Sequence, residues 1–93
     1  MALEHVSGKN AGRIVLYALS TCPWCNKTKQ LLKDMGVDYY YTNVDLLPAQ
    51  EKEQVMKTVE KWNPNCSFPT MVVDDGKCIV GFQEDEIRRV LKA

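Results

Sequence analysis

The sequence predicts an α/β domain: a four-stranded mixed sheet flanked by three helices, in the order βαβαββα. Three observations lead there. The front of the chain alternates short β-rich runs with amphipathic helical stretches, the pattern of a parallel strand pair joined by a crossover. Late in the chain, a tight turn containing glycine joins two further β-rich runs as a hairpin. The last segment carries acids first and bases after, the order that a helix macrodipole favours.

Arg13–Ala18, RIVLYA, is short, apolar and rich in β-branched and aromatic residues, which predicts a buried strand. LSTCP breaks it, and Pro23, lacking an N–H, suits the first turn of a helix. Cys25, Thr28, Leu31, Leu32 and Met35 then recur at spacings of three and four, one helical face. Lys27, Lys29, Gln30, Lys33 and Asp34 fill the other face, and Gly36 is the expected stop. Val37–Asp45 reads as a second strand, with Tyr39, Tyr40 and Tyr41 expected in strand packing.

Pro48 opens a second helix running to about Trp62, with Val55, Met56, Val59 and Trp62 on one stripe. NPNCS is a breaker loop. Phe68–Phe82 reads as strand, Asp75-Gly76 turn, strand. In the closing helix Ile87, Val90 and Leu91 face inward, and Tyr17 is a further core candidate. Residues 1–12 read as a poorly ordered tail before a domain over 13–93, and His5 receives no role.

A length of 93 residues suits one small domain, and 45% hydrophobic with 26% charged residues is an ordinary globular mixture. A net charge of zero gives no support to electrostatic nucleic-acid binding. No segment is apolar long enough to cross a membrane, and the start lacks the marks of a secretory signal. The expectation is a cytoplasmic monomer. Its four cysteines are then more suited to redox chemistry or metal binding than to structural disulfides.

The chemistry centres on TCPWC, Thr21–Cys25. The strand–loop–helix order puts Cys22 at the helix N-cap, where unpaired N–H groups and the macrodipole favour the thiolate that attacks disulfides. With Pro23 offering no donor, the N–H groups of Trp24 and Cys25 are the candidates to reach the Cys22 sulfur. Cys25 lies one turn further in, more enclosed. Cys22 is therefore expected as nucleophile and Cys25 as the resolving thiol.

Lys27 and Lys29 read as a solvated helix face, with added positive charge near the pair. Asp45 reads as a turn cap, with proton transfer as the other role weighed for it. Cys78 reads as a small buried hydrophobe, and Cys66 as a loop residue or regulatory thiol. The competing class is a carrier of metal or of an iron–sulfur cluster. A site of Cys22, Cys25, Cys66 and Cys78 lacks the second close-spaced pair of structural zinc sites, and no metal ligand is assigned.

With TCPWC followed by NKTKQLL, then SFPT at Ser67–Thr70 and GFQEDEI at Gly81–Ile87, the chain resembles the glutaredoxin family from Arg13 to its C-terminus. The resemblance implies a thioredoxin-like fold and a CPxC dithiol that reduces disulfides, with no bound cofactor and glutathione as co-substrate. It implies a cis Pro69 and a Phe68 backbone that pairs with substrate as an added strand. Trp24, Phe68, Pro69 and Thr70 would shape the groove, with Gly81, Phe82 and Asp85 on its far side. The partners implied are disulfide-containing proteins and a reductant.

Two departures bear on that reductant. Leu19 stands where glutathione-using members usually carry a base, and Gly81 is a single glycine where they usually carry two. The Gly81–Asp85 stretch resembles instead the redoxins that donate electrons to ribonucleotide reductase and are recharged by a thioredoxin-reductase-type enzyme. A glutathione-independent donor of that kind is the alternative reading.

Overall fold

The computed structural model describes residues 3–91. Its strands are β1 (Glu4–Val6), β2 (Ile14–Ala18), β3 (Tyr39–Asn43), β4 (Thr70–Val73) and β5 (Lys77–Val80). Its helices are α1 (Pro23–Met35), α2 (Ala49–Trp62) and α3 (Glu84–Leu91), with a 3-10 turn at Val44–Leu46. The sheet order is β1-β3-β2-β4-β5. β2 and β3 run parallel through the α1 crossover, and the other neighbours are antiparallel.

The sheet thus has five strands where four were expected. The fifth comes from the segment read as a tail: Glu4–Val6 pair with Tyr39–Tyr41 at the sheet edge. Lys9 extends the attachment, donating to Gly36 O and accepting from Asp38 N–H, both at 2.8 Å. His5 also has a place. Its ring Nε2 is hydrogen-bonded to the Asp38 carboxylate at 2.8 Å, and the ring stacks on Tyr40 at 4.6 Å between centroids. Tyr40 is accordingly an exposed residue of the edge, while Tyr39 is buried as strand packing predicts.

Alternation along β2 divides the core in two. Ile14, Leu16 and Ala18 face one side, with Leu31 and Leu32 of α1, Ile87 and Leu91 of α3, and Met71 and Val73 of β4. Val15 and Tyr17 face the other, with Val55 and Val59 of α2 and Val72. α1 and α3 therefore cover one face and α2 the opposite one. Every residue of β2 and β4 is buried, as expected of central strands covered on both faces.

Gly36 closes α1 in the left-handed region, φ 69°. The β4–β5 hairpin turns one residue earlier than Asp75-Gly76. Asp74 and Asp75 hold the positive φ values, 53° and 52°, and Gly76 N–H donates to Val73 O at 3.1 Å. Aspartate tolerates that conformation better than most residues. The Asp74 carboxylate also accepts the Arg13 N–H at 2.8 Å, which fixes the turn against the start of β2.

Deleting residues 1–10 should lower the unfolding free energy by at least ~1 kcal/mol, since it strips the β3 edge of paired hydrogen bonds. Urea denaturation of the truncated and full chains checks this; equal midpoints would make β1 dispensable.

Candidate active site

Strand register assembles the site. Tyr17 pairs with Thr70 and Thr70 with Val80, so the end of β2, the start of β4 and the end of β5 lie abreast. The Leu19–Cys22 loop, the Phe68–Pro69 step and Gly81 meet there. The Phe68–Pro69 peptide is cis, as the resemblance implies. Gly81, at φ 81°, donates its N–H to Pro69 O at 2.8 Å. A side chain at that φ is strained, which suits glycine.

Cys22 is the N-cap of α1, with extended backbone at φ −94° and ψ 113°, and Pro23 follows in the first turn. Of the two amides that sequence offered to its sulfur, Cys25 N–H reaches it, at 3.2 Å. The Cys22 carbonyl accepts Asn26 N–H at 3.0 Å, and its own N–H donates to Leu19 O at 3.3 Å. Cys22 is half-buried, whereas Cys25 has no exposed surface.

Burial pushes the Cys25 thiol up to about 12, and its hydrogen bond with Cys22 adds to the rise. A hydrogen bond from the Leu19 backbone and the Lys29 charge act in the opposite direction. The two sulfurs therefore differ: one sits half-buried at a helix cap, and the other is enclosed and held protonated by burial.

Trp24, Phe68, Pro69, Gly81 and Phe82 line an apolar groove of about 270 Å³. Trp24 is 55% exposed, and its ring lies 6.0 Å from that of Phe82 at 26°. The Lys27 ammonium sits over the indole, 4.9 Å from the ring centroid. Lys29 points elsewhere, donating to Asn43 Oδ1 at 2.8 Å and lying over Tyr41.

Two residues expected at the groove are not among its five lining residues. Thr70 has no exposed surface; its hydroxyl donates to Ser67 O at 2.7 Å and accepts from Asn63 Nδ2 at 3.1 Å. Asp85 is exposed in the first turn of α3 and lines a shallow pocket that shares Phe82 with the groove. Asp45 is exposed rather than a buried proton-transfer group, and both its oxygens accept from Ser20.

Cys78 is half-buried in β5 and its thiol is raised by burial. Cys66 is half-buried in the loop before Phe68, at φ 51°. Among the described residues no group of three or more His, Cys, Asp or Glu side chains gathers to hold a metal ion.

Sequence reasoning missed Asn63. It ends α2, its N–H donating to Val59 O at 2.7 Å. Its buried Nδ2 also reaches Ser67 O and Ser67 Oγ, at 3.2 and 3.0 Å. Asn63 thereby braces the loop that delivers Phe68 and Pro69 to the groove. The available signal was an asparagine directly after a helical stripe and just before Pro64, where a helix stops.

Residues 14–79 match the model of the glutaredoxin family. The chain belongs to the glutaredoxin family. The methanoredoxin of Methanosarcina acetivorans is 52% identical, covers 92% of this chain and 90% of its own, and superposes with a TM-score of 0.90. The glutaredoxin of Methanosarcina mazei Go1 is 49% identical over 98% of this chain and 88% of its own, with a TM-score of 0.91. A glutaredoxin-like 8.6 kDa protein of the rubredoxin operon of Clostridium pasteurianum, itself uncharacterised, is 32% identical over 79 residues, 85% of this chain and 97% of its own. The thioredoxin-like fold of glutaredoxins is thus the fold of this chain. Thiol–disulfide oxidoreductase activity, in the general sense of the glutaredoxin family, comes with it.

Two outcomes are expected. The raised Cys25 thiol contributes stability that is whole below the ordinary thiol value of 9.0 and is lost as pH rises from there through the folded value of about 12. The melting temperature of the reduced protein should therefore fall above about pH 9, and less so in Cys25→Ser; identical profiles would remove the thiol as the cause. Asn63→Ala should cost ~1–3 kcal/mol in urea denaturation, because it takes the donor from the buried Thr70 hydroxyl and two further bonds from Ser67.

Proposed function

We propose that the protein reduces disulfides of proteins, or mixed disulfides with glutathione, by a two-cysteine cycle. The observation that carries this reading is the Cys25 N–H aimed at the Cys22 sulfur, with the Cys25 thiol enclosed one helical turn behind. The Cys22 thiolate attacks one substrate sulfur, forming a mixed disulfide and expelling the other sulfur as a thiolate. Cys25 then gives up its proton, attacks the Cys22 sulfur and expels the second substrate sulfur, which takes a proton. Two electrons pass to the substrate, and a Cys22–Cys25 disulfide remains.

In this reading the extended chain of the substrate pairs with the Phe68 backbone, and its side chains rest between Trp24 and Phe82. Cys25 stays protonated until Cys22 has been consumed, which limits its competition for substrate.

A second reading, a redoxin recharged by a reductase rather than by glutathione, is favoured by Leu19. That side chain packs on the α2 side of the sheet and presents no cation to a carboxylate. The Lys27 ammonium lies over Trp24, a lining residue of the groove, and a cation there favours the glutathione reading.

Cys22→Ser should abolish disulfide reductase turnover, and Cys25→Ser should accumulate mixed disulfides detectable by mass. Full activity in Cys22→Ser would end the mechanism. The reductant is separated by following Trp24 fluorescence while the oxidised protein is offered glutathione or a thioredoxin-reductase-type enzyme. Fast reduction by glutathione supports the first reading, and reduction by the enzyme alone supports the second.

A further inference from the structure

The loop between β2 and the cysteine pair is held from outside by a single carboxylate. Asp45 belongs to the 3-10 turn that follows β3. One of its oxygens accepts the Ser20 N–H at 2.8 Å, and the other accepts the Ser20 hydroxyl at 2.5 Å. The preceding residue, Leu19, is the one whose backbone meets Cys22. Its carbonyl accepts the Cys22 N–H at 3.3 Å.

We infer that Asp45 is a positioning residue for the resolving step: by pinning Ser20 it holds the Leu19 carbonyl on the Cys22 N–H and so keeps the Cys22 sulfur in line for attack by Cys25. The inference rests on the reading of Cys22 and Cys25 as the reacting pair. Asp45 touches neither sulfur and exchanges no proton with them. Its two acceptors match the two donors of Ser20, a fork that fixes backbone and side chain together. These donors also hold the Asp45 carboxyl below its ordinary value, the Ser20 hydroxyl first among them, so it stays ionised in the neutral range. Thiol attack on a disulfide needs alignment of three sulfurs, and loss of alignment reduces rate steeply.

The same geometry separates the two reactions. Alkylation needs only a Cys22 sulfur within reach of a small electrophile, and its hydrogen bond from Cys25 N–H lies at the head of α1. Resolution needs the Cys22 sulfur in line between two others, and that alignment is what the Leu19–Cys22 bond holds.

The test loads Cys22 with a small mixed disulfide at acid pH, jumps the protein to neutral pH and follows resolution by Trp24 fluorescence. Iodoacetamide alkylation of Cys22 is measured in parallel. Asp45→Ala should slow resolution about tenfold, with alkylation altered less than about twofold. Asp45→Asn keeps an acceptor for the Ser20 N–H and should recover most of the rate, which a role for charge alone would not allow. Resolution in Asp45→Ala within twofold of the parent overturns the inference, as does equal slowing in Asp45→Ala and Asp45→Asn. If Asp45→Ala fails to fold, Ser20→Ala removes one of the two bonds and should slow resolution by about two- to threefold; an unchanged rate there counts against the inference. Release of the mixed disulfide by Cys25→Ser at the parent rate would instead bring down the underlying dithiol reading.

Discussion

Tyr17 lies opposite Thr70, and the working end of the molecule follows from that pairing. It sets the last-but-one residue of β2 beside the first of β4. The loop to Cys22 and the Phe68–Pro69 step are then neighbours, although they lie more than forty positions apart in the chain. A one-residue slip would turn every side chain of β4 to the opposite face. Met71 and Val73 would leave the α1–α3 side and Val72 would leave the α2 side, so both halves of the core oppose the slip. Hydrophobic burial on two faces thus specifies the meeting point of the site, and local hydrogen bonds complete it.

Those local bonds come from polar residues on the two sides of the sheet's active end. Asn63 and Thr70 brace the wall of the groove from the end of α2. Ser20 and Asp45 brace the loop before Cys22 from the end of β3. None of these four residues is itself part of the groove lining. The surroundings of the cysteine pair are therefore held by a buried amide and an exposed carboxylate as well as by the helix end that carries Cys22.

Much of this was legible in the sequence. The helical faces of α1 and α2 were, because spacings of three and four report a buried stripe directly, as Leu31, Leu32, Val55 and Val59 do. The start and stop of α1 were, because Pro23 and Gly36 each have a backbone reason to stand where they do. β1 was not: three residues carry no measurable period, and its pairing depends on Tyr39–Tyr41 being in place. The hairpin turn moved by one because Asp74 is tied to Arg13, a partner 61 positions away. Thr70 was read from its neighbourhood to the proline, and nothing local reveals that its hydroxyl turns inward to Asn63. Long-range polar pairs of this kind leave no periodic trace.

The edge strand has a consequence for the company the molecule keeps. A sheet that ended on β3 would show a five-residue ladder rich in tyrosine, a ready template for a foreign strand. β1 takes up that ladder and replaces it with one of three residues, flanked by the His5–Asp38 pair and carrying Glu4. At the opposite edge β5 begins with Lys77, whose ammonium is held by Glu86 of α3. Short, charged margins discourage the growth of sheets from one molecule to the next. The segment that looked like a loose leader in the sequence is thus also a guard against aggregation.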